Sequence, residues 1–304
     1  MRAPARSIAV LFHERQRDAE AVRYRIWPVI ANWRERGIRV DVVHGLSNVP
    51  EADVIFPHLD CSVVPDGAWA LMQSHPRVVN RRVRDIRKRT VSTNLIGPDS
   101  DWTGPVIVKT DANCAGLSDH RFGREAGPTL AERIRRRLTM HPARERALLR
   151  FARSLSRYYI FDSPRDLPRG VFRNRHLVVE RFLPERIGGM YTVRMWIVLG
   201  DRGVGRTLTG SDPFVKDKNA VLGSFGAPPP EVEEFRRRIG LDYGKIDFVV
   251  HAGRPVILDV NTTPTISGDA HGEEYKRLCE GLSRGIEAVN TEVNRGKTRQ
   301  TEIG

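Results

Sequence analysis

Apolar positions along the chain fall into short alternating runs and a few helical stripes, separated by turn residues. Ile8–Phe12, Ile38–Val43, Asp53–Phe56 and Arg77–Asn80 read as strands. Val22, Ile26, Val29, Ile30 and Trp33 share one helical stripe, which predicts a helix over Asp18–Arg36, ended by Gly37 and kinked at Pro28. A second helix is expected over Pro65–Ser74. This β-α-β rhythm predicts a small α/β layer around a parallel sheet. Ligands gather at the carboxyl ends of such strands, where His13, His44, His58 and Asp60 form a candidate substrate rim.

The pattern then changes. Arg81–Leu95 reads as a basic helix ended by Gly97-Pro98, Pro105–Lys109 as a strand, and Pro128–Ser156 as a long basic helical stretch broken near His141-Pro142. Tyr158–Phe161 and His176–Phe182 are expected strands. Tyr191–Leu199 and Val204–Leu208 form a hairpin around Gly200–Gly203. A helix follows Pro228 as far as Arg238, and Glu273–Asn290 is a terminal helix before a polar tail.

Candidate chemistry begins at VILDVNTTPT, residues 256 to 265. Side chains alternate along a strand, so Val256, Leu258 and Val260 are expected on one face, and Asp259 and Asn261 on the other. Upstream, Ile246, Phe248 and Val250 alternate with Asp247. A five-residue turn over His251–Pro255 would set Asp247 opposite Asp259 and keep the core dry. Paired carboxylates repel, so a cation belongs between them, and all-oxygen ligands suit magnesium. A polar sheet face neutralised by Arg or Lys explains the same residues equally well.

Three further segments carry candidates. PVIVKTDANCAG ends a strand at Lys109 before a loop of small residues that includes Gly116. A lysine and loop amides there suit phosphate, although no Walker A sequence is present. HLVVERFLPER places Glu180, Phe182, Leu183 and Glu185 at a strand end that could hold a purine and a ribose, or be only a charged rim. YTVRMWIVLG sets Arg194 inside a strand, where a guanidinium needs an anion: a phosphate, or a sheet carboxylate such as Asp247 or Asp259.

Composition narrows the function. Hydrophobic content of 40% and charged content of 29% over 304 residues are those of a soluble chain with room for two or three domains. No apolar run approaches the roughly 18 residues of a membrane span. Cys61, Cys114 and Cys279 are far apart, which fits a reducing cytoplasm and no disulfide or zinc framework. The net charge of +13 comes from 50 basic residues, dense only over Arg81–Arg89 and Arg133–Arg153. These stretches have few aromatics to stack on bases, so nucleic-acid binding ranks below a small-molecule role.

In this order, a lysine at a strand end, a small-residue loop, an E-x-F-L strand, an R-x-W-I-V-x-G hairpin and a D…D-x-N-x-x-P strand pair resemble the ATP-grasp superfamily over about residues 80 to 290. The resemblance implies an α/β and α+β chain: a small N-terminal parallel α/β domain, 1–78, then a two-lobed ATP-grasp fold. A central lobe would span 79–186, a C-terminal lobe with the metal site 187–292, and a polar tail 293–304. ATP would lie between the lobes. Lys88 and Lys109 would bind its phosphates with the Gly116 loop, backbone near Glu180, Phe182 and Leu183 its adenine, and Glu185 its ribose. Arg194 would steady the transferred phosphoryl group, and Asn219 would stand beside the metal site. Asp247, Asp259 and Asn261 would hold magnesium or manganese.

Asp259 stands where the family commonly has Glu, and the ribose position is interrupted by Gly188-Gly189-Met190. The implied activity is that of an ATP-dependent ligase joining a carboxylate, as its acyl phosphate, to an amine or similar nucleophile. Its partners would be small molecules or a peptide, not a membrane. A kinase acting on a hydroxyl would use the same nucleotide site, and a non-enzymatic nucleic-acid-binding module is the third reading.

Overall fold

The computed structural model describes residues 4–116, 119, 146–215, 220–266 and 272–289. Its first part is a parallel three-stranded sheet, β1 (Ser7–Phe12), β2 (Arg39–His44) and β3 (Val54–Pro57), in the order β2-β1-β3. Val78 adds a single parallel bridge to Ile55, so the fourth expected strand is reduced to one pairing. Ile8, Val10 and Phe12 point toward helix α1 (Ile26–Glu35), and Ala9 and Leu11 toward α2 (Asp66–Ser74).

The helix expected over Asp18–Arg36 is shorter, because Val22–Tyr24 leave helical geometry. Tyr24 bridges to Thr265 instead, and the Arg25 amide donates to the Pro264 carbonyl at 2.9 Å. Pro28 then lies in the first turn of α1, where a missing amide costs no helical bond, so it kinks nothing.

The basic helix expected over Arg81–Leu95 is also absent, except for α3 (Lys88–Val91). Backbone pairing wins over helical spacing here: Ile86 donates to Ser62, and Val64 donates to Arg84. The arginines of this run brace neighbours. Arg84 pairs with Asp66, Arg87 with Asp85 and Arg89 with Asp111. Most of the second basic stretch, and residues 128–145 of the helix expected over Pro128–Ser156, lie outside the described residues; the described end of that helix closes in a 3-10 turn, Leu149–Phe151, after which Ala152 is extended.

Two antiparallel sheets follow. The smaller has the order β5-β4-β6, from β4 (Val106–Thr110), β5 (Tyr159–Phe161) and β6 (Leu177–Arg181). Its Val106, Val108, Leu177 and Val179 pack on Leu149, Leu155 and Val171 in a core of its own. The larger has the order β10-β9-β8-β11-β12, with β7 (Glu185–Ile187) added beside β8. Its strands are β8 (Met190–Leu199), β9 (Arg202–Gly210), β10 (Val221–Phe225), β11 (Tyr243–His251) and β12 (Arg254–Asn261). Ile246, Phe248, Ile257 and Val260 pack on α4 (Pro230–Ile239), which opens with Pro and two acidic residues and ends in three arginines and Gly240, in accord with the helix dipole.

On its other face, Ile197, Leu199 and Tyr243 join the core of the parallel sheet, sealed by α5 (Glu273–Ser283) and Ile286. Among the described residues, no helix is long and apolar enough to cross a membrane.

The β8–β9 turn lies backbone to backbone against the segment after α5. A Cβ on Gly285 would sit 1.8 Å from the Leu199 carbonyl oxygen, and a Cβ on Gly281 would meet nothing within 4 Å. Gly285→Ala is therefore expected to lower the denaturation midpoint by the equivalent of about 3 kcal/mol, as overpacking does. Gly281→Ala, inside α5, is expected to raise it by about 0.5–1 kcal/mol through helix propensity. Chemical denaturation of the two variants checks both signs.

Candidate functional site

The β11–β12 hairpin sets Asp247 opposite Asp259, as the sequence predicts, but by another route. The turn is Ala252-Gly253, two residues with φ of 49° and 76°, not the five residues expected. Such a tight turn has the positive φ values of a type I′ hairpin. Carried straight along the ladder, its register would pair Asp247 with Leu258. A bulge between Asp247 and Phe248 inserts one residue on β12 and shifts the pairing to Asp259. The bulge also corrects the expected alternation. Ile257 and Val260, three apart, face the core, and Leu258 is only half-buried.

Asp247 Oδ1 and Asp259 Oδ1 are buried and have no hydrogen-bond partner among the described residues. Asp247 Oδ2 lies 2.9 Å from Lys245 Nζ. Burial, ahead of every other influence, raises the Asp247 pKa above the usual carboxylate value. Lys245 opposes the shift and Asp259 adds to it. Two orphaned oxygens on facing carboxylates fit a hard cation. Asn261 ends the strand, and its Oδ1 accepts from the Thr263 amide at 2.8 Å. Among the described residues, no group of three or more His, Cys, Asp or Glu gathers at metal-binding distance, so the donor set here is two carboxylates and an amide.

Lys88 is the hub of the site. It is 1% exposed, and its Nζ lies 3.5 Å from Asp259 Oδ1. Burial works against its charge, but Asp259 foremost, with Tyr158 and Glu180, raises its pKa above the ordinary lysine value. Helix α3 is pinned to the end of β4: the Lys88 amide donates to Asp111 O at 2.8 Å, and the Arg89 amide to Asp111 Oδ1 at 2.9 Å.

Lys109 and Glu180 are diagonal neighbours on one face of the small sheet, since Lys109 pairs with Val178 and Ile107 with Glu180. Lys109 Nζ donates to Glu180 Oε2 at 2.7 Å and lies over the Tyr158 ring. Glu180 Oε1 is buried and has no partner among the described residues. Gly116 closes the 3-10 turn Asn113–Gly116 after β4. Phe182 and Leu183 are half-buried where the chain leaves the small sheet. The Phe182 amide is committed to Pro105 O at 2.8 Å.

Arg194 and Glu185 belong elsewhere. Arg194 pairs with Phe248 in the ladder, whereas Asp247 pairs with Met195, so Arg194 projects from the opposite face of the sheet. Its anion is neither Asp247 nor Asp259. Nε donates to the two Glu185 oxygens at 2.9 and 3.0 Å. Glu185 Oε2 also accepts from the Val250 amide at 2.7 Å. This carboxylate is spent on the protein, which leaves no oxygen placed for a ribose. Asn219 lies outside the described residues. Of the expected rim, His58 is fully buried among Phe12, Tyr24 and Tyr243, and burial takes its pKa down to about 3. Asp60 is half-buried beside the end of β12, where it accepts from Thr263 Oγ1.

Sequence reading missed two residues. Arg206 faces Met195, which faces Asp247, which faces Asp259, so the four form one row across β9, β8, β11 and β12. Arg206 is paired with Glu274 at 2.6 Å. Counting the register outward from the tight Gly200-Asp201 turn would have found it. The second is Tyr158, which the β4–β5 register, continued by one residue, sets opposite Lys109.

Asp247 gives a test by pH. Its folded-state pKa lies above its unfolded value, so ionisation costs stability. The cost is absent below the unfolded pKa and grows as pH rises through the folded one. Without divalent cations, Asp247→Asn is expected to melt higher than the native chain at pH 7.5, by about 2–4 °C. The gap should close toward pH 4. Scanning calorimetry at the two pH values measures it.

No protein-family model matches the chain, and no curated protein does. Solved structures do show likenesses. A RimK domain ATP-grasp protein from Sphaerobacter thermophilus is 13% identical at a TM-score of 0.49, over 92% of this chain and 99% of that one. The macrocyclase MdnC from Microcystis aeruginosa, bound with precursor peptide MdnA, is 11% identical at 0.48, over 92% and 99%. D-alanine–D-alanine ligase from Bacillus anthracis, complexed with ATP, is 13% identical at 0.44, over 93% and 97%. TM-scores this low leave the function to be read from the residues themselves. The observed order of sheets, a parallel α/β layer followed by two antiparallel sheets, agrees with the ATP-grasp fold that the motifs resemble.

Proposed function

We propose that this protein is an ATP-dependent ligase of the ATP-grasp type, which activates a carboxylate as its acyl phosphate and passes it to an amine. One observation carries the reading. Lys88 and Lys109 meet Asp247, Asp259 and Glu180 between two antiparallel sheets, with three carboxylate oxygens left without hydrogen-bond partners among the described residues. Asp259 Oδ1 has only the ion pair to Lys88, and the Asp247 and Glu180 oxygens are left buried, where a surface built only for stability would hydrogen-bond all three. A nucleotide triphosphate with its cation would satisfy them. The domain limits 1–78, 79–186 and 187–292 belong to the same reading.

The residues divide the work. Lys109 and Lys88 bind phosphate oxygens, and the turn ending at Gly116 offers backbone amides. The base lies against Phe182 and Leu183, with Glu180 behind it. Asp247, Asp259 and the Asn261 carbonyl hold magnesium, which when bound offsets charge on the transferring phosphoryl oxygens. Arg206, in the same row as the carboxylates, takes the role that the sequence reading gave to Arg194. The substrate carboxylate attacks the terminal phosphorus, and ADP leaves. The amine then attacks the acyl carbon, phosphate leaves with its electron pair, and the ammonium proton goes to solvent. Catalysis here consists of positioning and charge stabilisation, without a protein nucleophile.

Two measurements test this. In a screen of carboxylates and amines, ADP release is expected to require a carboxylate, and hydroxylamine is expected to trap the acyl phosphate as a hydroxamate. ADP release that tracks a hydroxyl compound and yields its phosphate ester would replace the ligase with a kinase. The second concerns Lys109. Its loss alone would strand a buried Glu180, so the double variant Lys109→Met/Glu180→Gln keeps the site neutral. That variant is expected to bind ATP about 10- to 100-fold more weakly, the range for a lost hydrogen bond to a charged group. Its affinity for adenosine should change little. Calorimetric titration with both ligands decides it.

A further inference from the structure

The strand that ends at Asn261 does not stop in solvent. Its continuation is zipped onto the N-terminal sheet's loop: Tyr24 bridges to Thr265, the Arg25 amide donates to Pro264 O, and the Ile266 amide donates to Arg23 O at 2.8 Å. Side chains join the same two segments. Gln16 Nε2 donates to the Tyr24 hydroxyl at 2.8 Å, and that hydroxyl donates to Asp60 Oδ2 at 2.8 Å. The other oxygen of Asp60 accepts from Thr263 Oγ1 at 3.2 Å.

Thr263 is 3% exposed, so water offers its hydroxyl little alternative. The hydroxyl has one hydrogen and two acceptors in reach, Asp60 Oδ1 and Asn261 Oδ1, each at 3.2 Å. Asn261 Oδ1 already accepts the Thr263 amide. A second hydrogen from the hydroxyl would occupy its remaining lone pair. The carboxylate of Asp60 is the stronger acceptor, because the bond is charge-assisted.

We infer that Asp60 is a positioning residue for the cation site: it draws the Thr263 hydroxyl hydrogen away from Asn261 and so keeps the Asn261 carbonyl oxygen open to a divalent cation. The N-terminal sheet thereby takes part in a site whose ligands all lie on the large sheet. This rests on the reading of Asn261 as a cation ligand. Asp60 touches neither the nucleotide nor the cation in this scheme and acts only through Thr263.

The test is a double-mutant cycle read by binding, not turnover. Mn2+ affinity is measured by electron paramagnetic resonance, with a non-hydrolysable ATP analogue at saturation. The chains are the native protein, Asp60→Ala, Thr263→Val and the double variant, each checked for a native-like melting curve. Asp60→Ala is expected to weaken Mn2+ about tenfold, the scale of one hydrogen bond to a charged group. In the Thr263→Val background the same change should cost less than about twofold, because no hydroxyl is left to turn toward Asn261. Asp60→Asn, which keeps the volume, should follow the same order with a smaller change, and serves if Asp60→Ala does not fold. An equal loss in both backgrounds would make Asp60 a mere source of negative field and overturn the inference, as would no loss in either. A native protein that binds no Mn2+ would overturn both this inference and the cation reading beneath it, and it is told apart because the unsubstituted chain already fails.

Discussion

The buried ammonium of Lys88 is the constraint around which the rest is arranged. A charge so far from water is tolerated only if opposite charge is held close and stays there. Asp259 supplies it from the large sheet, and Glu180 and Tyr158 act from the small one. Neither sheet alone would enclose the lysine. Its helix, four residues long, has no stability of its own. It is held by Asp111 at the end of one sheet and by β12 at the edge of the other. The two sheets therefore face one another across a charge that neither could bury separately.

Much of this was legible because strand alternation is a strict rule. The pairing of Asp247 with Asp259 followed from keeping Ile246 and Phe248 in a dry core, and the core indeed contains them. The means were not legible. A tight turn plus a bulge gives the same pairing as a longer loop, and only backbone geometry separates the two. The helix expected over Arg81–Leu95 failed for a different reason. Val83, Ile86 and Val91 do have helical spacing, and all three are buried, but the residues from Ser62 to Val64 offer the backbone extended partners instead.

Arg194 shows the limit of reading a residue without its ladder. An arginine in an apolar strand needs an anion, and that much was correct. Which anion depends on the face, and the face depends on a register set by β11. Glu185, given a ligand's role from its place in the chain, turned out to be that anion. Arg206 follows from the same count, but its strand carries no motif to mark it. Polar residues that work in pairs across distant segments, such as Asp60 and Thr263, leave no local pattern at all.

The cores divide the molecule differently from the chain order. Residues of β8 and β11 pack into the same interior as the N-terminal sheet, with Trp33 donating its indole hydrogen to Ser283 O at 2.8 Å. The small sheet keeps an interior of its own, as does the α4 face of the large sheet. Its backbone is tied to the large sheet through the stretch from Thr93 to Ile96, which bonds Ile257 on one side and Val179 on the other. That stretch therefore acts as a strap: four residues that belong to no named strand hold one sheet against the other.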